Sequence, residues 1–428
     1  MEAAEAEAHT HVIGGSDASV VEQLLGLGGE HLRRCYQCGT CSVVCPRTPL
    51  DTAFPRKEMV WSQWGLQDKL LGDADAWLCY QCNECTTYCP VDARPAELMA
   101  AVRNFQISSY AVPNFMAKVS QGPKYLALAF SIPLLFVGIL LFLAIGLGEG
   151  EFFPEGDVLF EHFIPHIYID TLTLSLIAIM STLAGIGAKR YWRAINEHGP
   201  QVANRKAFWP SLGSALVDVL THRDFKDCKT NRRKVYAHMA IFYGFLMLVA
   251  ATTGAFIYTV VFPALGIDWQ DGELSLPLWD PVKLIGNLGG LLLFGGGIWA
   301  VGQHMRNTEQ AGKSSYFDWF FIAMVYLTAG TGFATMGLRL ANVPELAYSM
   351  YVIHFVFIYA LFAYFPYSKF SHMLYRTLAL THAKMIGRRA GEYTDGVIGA
   401  PVADEASPGA VGNGQPAQDA EAEAPAPA

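Results

Sequence analysis

Apolar and polar positions fall in long blocks along this chain. Six apolar blocks lie at roughly 124–148, 165–188, 236–262, 282–304, 318–338 and 347–368, with polar stretches between them. Each is close to the ~20 residues that cross a bilayer core of about 30 Å, so six transmembrane helices are predicted. The Ala341–Glu345 stretch leaves only a tight turn between the last two. Upstream, KEMVWSQWGLQDKLLGD reads as one helix carrying Met59, Val60, Trp64, Leu66 and Leu70, and residues 96–121 read as a helical linker ending at Gly122-Pro123. Valine-rich alternating strands do not occur, so the expected class is all-α. Residues 391–428 form an Ala/Pro/Glu/Gly tail without apolar period, expected to be disordered. The predicted division is a flexible arm at 1–30, a Cys-rich domain with its linker at 31–121, a membrane domain at 122–390 and the tail.

Composition agrees with that pattern. The 428 residues are 52% hydrophobic and 16% charged, against roughly 25% charged in soluble domains. The net charge of −8 is less telling than its distribution. Loop 189–235 carries Lys189, Arg190, Arg193, Arg205, Lys206, Arg223, Lys226, Lys229, Arg232, Arg233 and Lys234, whereas 149–164 and 264–281 carry acids and no Lys or Arg. Lys369, Arg376, Lys384, Arg388 and Arg389 follow the last block. The positive-inside rule then sets both termini and the Cys-rich segment on the cytoplasmic side of the inner membrane. The start, MEAAEAEAHTHVIGG, has neither a basic opening nor an apolar core, so no signal peptide is expected. Nucleic acid is not an expected partner.

The chemistry begins with cysteine. Cys35-Tyr-Gln-Cys38-Gly-Thr-Cys41-Ser-Val-Val-Cys45-Pro46 is C-x2-C-x2-C-x3-C-P, and Cys79-Tyr-Gln-Cys82-Asn-Glu-Cys85-Thr-Thr-Tyr-Cys89-Pro90 repeats it. Three thiolates at this spacing wrap one [4Fe–4S] cubane, and the fourth reaches the other cluster. The expected ligand sets are Cys35, Cys38, Cys41 with Cys89, and Cys79, Cys82, Cys85 with Cys45. Paired zinc sites are the alternative, but they leave the C-x3-C-P extension without a role. Cys228 stands alone in the basic loop and reads as a free thiol.

Histidines inside apolar blocks are costly unless partnered. His354 and His372 bracket the last block, and their separation of 18 residues equals five helical turns. On one straight helix they would share a face, roughly 27 Å apart, with Pro366 kinking the helix between them. That is the layout expected of one haem near each leaflet. The second ligands expected are His238, with His304 as rival, facing His372 at the inner side, and His166, with His162 in reserve, facing His354 at the outer side. Arg339, read as the lone basic residue of the outer face, is a candidate partner for a haem propionate. His9, His11, His31, His198, His222 and His382 lie in polar surroundings and receive no role.

The twin cysteine motifs resemble the C subunit of heterodisulfide reductase. The His354–His372 segment looks like the last helix of the haem b subunits of respiratory nitrate reductase and heterodisulfide reductase. Their fusion over about residues 31–390 is similar to the C subunit of the quinone-interacting membrane-bound oxidoreductase complex. The resemblance implies a ferredoxin-like two-cluster domain fused to a six-helix haem b bundle of the nitrate reductase gamma-subunit kind. It also implies one or two b-type haems, a quinone substrate, and flavin and iron–sulfur partner subunits of a heterodisulfide-reductase-like complex, with adenylylsulfate reductase as the soluble end of the path. In the nitrate reductase pattern a second helix carries two ligands ten residues apart; here His238 matches one and Leu248 occupies the other. The alternatives are a similar relay serving sulfite reduction and a haem-less membrane anchor or redox sensor.

Overall fold

The computed structural model describes residues 15–388, apart from 50–51, 149, 201, 203, 224–231, 268–278 and 307–314. The first residues of the expected arm, Cys228 and the 391–428 tail lie outside the described residues. Among the described residues every regular element is helical.

The Cys-rich half is built from short helices: α1 (Ala18–Gly26), α2 (Thr40–Val44), α3 (Arg56–Gln63), α4 (Gln67–Leu71), α5 (Asp75–Leu78) and α6 (Glu84–Thr87), laid against the longer α7 (Pro95–Tyr110), with α8 (Asn114–Gln121) leading to the membrane half. Val20, Leu24, Met59, Leu70, Met99, Val102 and Phe105 form its core. The single helix expected over 57–73 is two helices. Gly65 adopts φ +63°, and a Cβ there would stand 2.1 Å from the Asp17 carbonyl oxygen, so the chain turns where glycine alone fits.

The membrane half comprises α9 (Leu126–Gly146), the short α10 (Phe160–Phe163), α11 (His166–His198), α12 (Phe208–Thr221), α13 (Arg232–Phe256), α14 (Pro281–Arg306), α15 (Tyr316–Leu340), α16 (Pro344–Ala363) and α17 (His372–Met385). Among the described residues six helices are long and apolar enough to cross a membrane, one at each predicted block. Helix α12 was not expected in the basic loop. Ser211 and Ala215, four apart, are buried against its neighbours, while Trp209, Leu216, Val217 and Leu220 face outward. The loop's charge masked this helical period.

The last block departs most from expectation. Instead of one kinked helix through His372, α16 stops at Ala363, the chain turns through 364–368, and α17 starts afresh at His372. Pro366 lacks an N–H and disfavours helical backbone at Phe365. Side chains meet the polar needs of the break. Ser120 Oγ donates to the Tyr367 carbonyl at 2.9 Å, Tyr367 Oη donates to the Val112 carbonyl at 2.6 Å, and Lys369 pairs with Asp318 at the start of α15. The separation computed along one straight axis therefore does not apply to His354 and His372.

One aromatic core joins the two halves. Trp77 and Leu78 of α5 pack with Tyr110 of α7, Tyr191 and Ile195 of α11, and Tyr375 and Leu380 of α17. Trp77 stacks on Tyr375 with ring centroids 5.2 Å apart, and Tyr110 Oη donates to the Leu71 carbonyl at 2.6 Å.

Candidate functional site

The two cysteine motifs fold alike because their sequences place permissive residues alike. Gln37 and Gln81, third in each, and Gly39 and Asn83, fifth in each, have positive φ of 65°, 51°, 84° and 73°. These turns aim backbone amides at sulfur: the Gln37 N–H donates to Cys35 Sγ at 3.4 Å and the Gln81 N–H to Cys79 Sγ at 3.3 Å. Cys41 and Cys85 ride on α2 and α6, meeting across Ala96 in a small apolar cluster. Cys45 caps the end of α2, and Cys89 lies just beyond α6.

Each fourth cysteine crosses to the other motif. Cys45 lines one cavity with Cys79, Cys82 and Cys85. Cys89 lies within electrostatic reach of Cys35 and Cys41, both of which also feel Cys38. Burial pushes the Cys41 thiol up to about 11 and Cys45 up to about 12. A thiolate at these positions needs neighbouring cationic charge, which iron supplies, so the donor set fits a cluster. Cys38, exposed, goes the other way, its thiol lowered by the Thr40 hydroxyl at 3.3 Å.

The two sets differ in surroundings. Around the Cys35 set, Tyr36, Val43 and Tyr88 are 59%, 53% and 62% exposed. The Cys79 set faces the membrane half. Arg103 of α7 donates to the Ala76 carbonyl at 3.0 Å and to Gln81 Oε1 at 2.8 Å. Arg376 of α17 donates to the carbonyls of Trp77 at 2.9 Å and Cys79 at 3.0 Å, with its guanidinium 4.0 Å from the centroid of the Tyr80 ring.

His372 lies one turn before Arg376. Its Nδ1 donates to the Lys369 carbonyl at 2.6 Å, which leaves the lone pair on Nε2, the tautomer seen in metal-ligating histidines. Desolvation, with Lys369 and Arg376 nearby, pushes its imidazole down to about 4, so it is neutral at physiological pH. His238 of α13 lies within electrostatic reach of His372, His222 and Arg376, and His222 Nε2 stands 3.1 Å from His238 Nδ1. Phe245 of α13 packs on Phe370 in the break, centroids 5.0 Å apart, which ties this helix to the start of α17. The side chain of the rival, His304, lies outside the described residues.

Sequence reasoning missed His222 and His382. Their neighbours in the chain are polar, yet they are 7% and 1% exposed. His222 ends α12 in a left-handed turn, φ 52°. The 3.6-residue period of 208–221 was the signal that would have revealed it. His382 lies edge-on to Trp192, centroids 6.1 Å apart.

The far end is arranged differently. Thr331 Oγ1 lies 2.5 Å from the Leu327 carbonyl oxygen and 3.0 Å from His354 Nδ1, with which it shares a hydrogen bond. A Cβ at Gly332 would lie 3.0 Å from His354 Cε1, so the ring rests against α15. His166, which opens α11 as expected, has Nε2 3.9 Å from the Glu161 carboxylate. The partners found for His354 and His166 among the described residues are thus different groups on different helices. Nor is Arg339 alone at its end, because Lys283 lies within its electrostatic reach.

Comparison with known proteins follows the same two halves. A family model described as citrate utilization protein B matches residues 120–393, and one described as a 4Fe-4S dicluster domain matches residues 31–93. Citrate utilization protein B of Escherichia coli is 27% identical over 312 residues, 68% of this chain and 76% of that one. A protein of Archaeoglobus profundus named as like the C subunit of heterodisulfide reductase is 37% identical over 94 residues, 22% of this chain and 50% of that one. The E subunit of the dihydromethanophenazine:CoB–CoM heterodisulfide reductase of Methanosarcina thermophila is 26% identical over 200 residues, 45% of this chain and 72% of that one. No solved structure matches.

Proposed function

We propose that this chain, which belongs to the citrate utilization protein B family, is a membrane electron-transfer subunit between a quinone pool and a cytoplasmic heterodisulfide-reductase-like complex. Its redox groups are two [4Fe–4S] clusters, held by Cys35, Cys38, Cys41 with Cys89 and by Cys79, Cys82, Cys85 with Cys45, and a haem b held by His238 and His372. The carrying observation is that the Cys79 loop and the His372 helix meet in one junction, through Arg376 and the Trp77–Tyr375 stack. Similarity to proteins named for the C and E subunits of heterodisulfide reductase supports this build.

Bound there, these groups supply one-electron carriers, which a two-electron quinone couple needs in order to feed single-electron chemistry. The protein's part is local. Gln37 and Gln81 amides donate to thiolate sulfur, a standard means of tuning cluster potential. The Lys369 carbonyl fixes the His372 tautomer, and His222 orients His238. Tyr36, Val43 and Tyr88 offer an exposed apolar rim around the Cys35 set, where a soluble partner would dock. The basic loops favour the cytoplasmic side for this rim. Within this reading the chain resembles the C subunit of the quinone-interacting membrane-bound oxidoreductase complex, with adenylylsulfate reductase as the soluble terminus. At the far end His354 and His166 lie beside separate neighbours, and this reading rests on the near-end haem.

The family match favours a second reading, in which the same relay serves citrate utilization, as the name of the Escherichia coli relative suggests. An optical spectrum of the purified protein tests the common core: reduction by dithionite should reveal b-type absorbance, and its absence would leave a haem-less anchor or sensor. Reduction of that absorbance by a quinol, blocked by a quinone analogue, is expected next. The subunits that co-purify then separate the two readings.

A further inference from the structure

One charged atom at the junction has no described partner. Arg376 spends Nη1 on the carbonyls of Trp77 and Cys79, while its Nη2 is buried and meets no hydrogen-bond acceptor among the described residues. A hidden guanidinium N–H without an acceptor is costly, so the geometry calls for an anion at that atom.

The nearby protein groups do not supply it. Asp318 is paired with Lys369. Lys369, Arg376 and Arg103 are the charged groups that act most strongly on His372, and all three are cationic. Cluster sulfur is a weaker candidate, because Arg103 already hydrogen-bonds the Cys79 thiol. Arg376 follows His372 by four residues on α17, so the two side chains share one helix face. His238, across from them, also lies within reach of Arg376. The missing acceptor is therefore sought beside the two imidazoles, on the group they would hold.

We propose that Arg376 is a double-ended positioning residue: Nη1 fixes the Cys79 loop, and Nη2 donates to a propionate carboxylate of the haem held by His372. One planar guanidinium then sets the spacing between the two redox groups, and its fork geometry is what lysine lacks. This rests on the haem reading above.

The test uses the full-length protein in detergent, with Arg376→Gln and Arg376→Lys. Potentials are read from b-type absorbance and from cluster EPR, with haem and iron contents as assembly controls. Removing a cation beside the carboxylate disfavours the more negative, reduced haem, so Arg376→Gln lowers the haem midpoint potential with haem content retained. Arg376→Lys recovers most of that shift, because the charge returns. A haem potential unchanged in Arg376→Gln, or moved equally in both variants, overturns the proposal, as does a shift confined to the cluster signal. If Arg376→Gln does not assemble, resonance Raman of wild type and Arg376→Lys decides: the propionate bending mode should move, and an identical band overturns the proposal. His372→Ala separates the two layers. Full haem retention there defeats the haem reading itself, whereas haem loss there with an unmoved potential in Arg376→Gln defeats this inference alone.

Discussion

The two ends of the helical bundle carry the same residue type in similar apolar blocks, yet the fold treats them differently. At the end beside the cysteine loops, His238, His222 and His372 come from three elements and converge, with Lys369 and Arg376 around them. At the far end, His354 settles on Thr331 of the adjacent helix, and His166 Nε2 stands 3.9 Å from the Glu161 carboxylate. A histidine in a membrane block is thus a demand for a partner, and a nearby hydroxyl can answer it without a metal. Convergence of several imidazoles, with the His372 tautomer set by a backbone carbonyl, distinguishes the near end.

That contrast can be broken by mutation. The largest effect is expected from His372→Ala, which should abolish b-type absorbance, while His354→Ala should leave haem content unchanged; pyridine haemochrome assay of both purified variants decides, and equal losses would erase the distinction. Trp77→Ala removes the stack that holds the near end to the cluster half. By analogy with buried Trp truncations it should cost about 3–5 kcal/mol, seen as a lower denaturant midpoint for loss of iron–sulfur absorbance. His222→Ala should weaken haem retention by about 10–100-fold, the usual penalty for losing a group that orients a metal ligand, measured by haem transfer to apomyoglobin. Smallest should be Thr331→Val at the far end, about 0.5–1.5 kcal/mol for one hydrogen bond, with near-end haem content and potential unmoved.

Much of the molecule was legible in the one-dimensional pattern. All six apolar blocks became membrane-length helices, and twin motifs of identical spacing became twin loops with left-handed turns at matching positions. Gln81 and Asn83 repeat Gln37 and Gly39 because the same local geometry is needed twice. The misreadings came where a local pattern met a distant contact. Gly65 lies inside the stretch that reads as one helix, yet the Asp17 carbonyl oxygen stands 2.1 Å from where its Cβ would be, and the chain turns there. Pro366 looked like a kink, but Ser120, Tyr367 and Asp318 stabilise a full break and let His372 open a new helix. His222 looked solvated because its own neighbours in the chain are polar.

The sequence by itself determined the helical class, the membrane blocks and the cysteine chemistry, since each is encoded by spacing within a few tens of residues. Which cluster loop faces the membrane half, and which histidines meet, depended on contacts between residues 297 positions apart, as in Arg376 with Cys79. Spacing carries no information about such pairs. They are chosen when α5, α7, α11 and α17 bury their aromatic faces together, and only a packed core can do that, because the gain lies in complementary shape and removal of apolar surface from water.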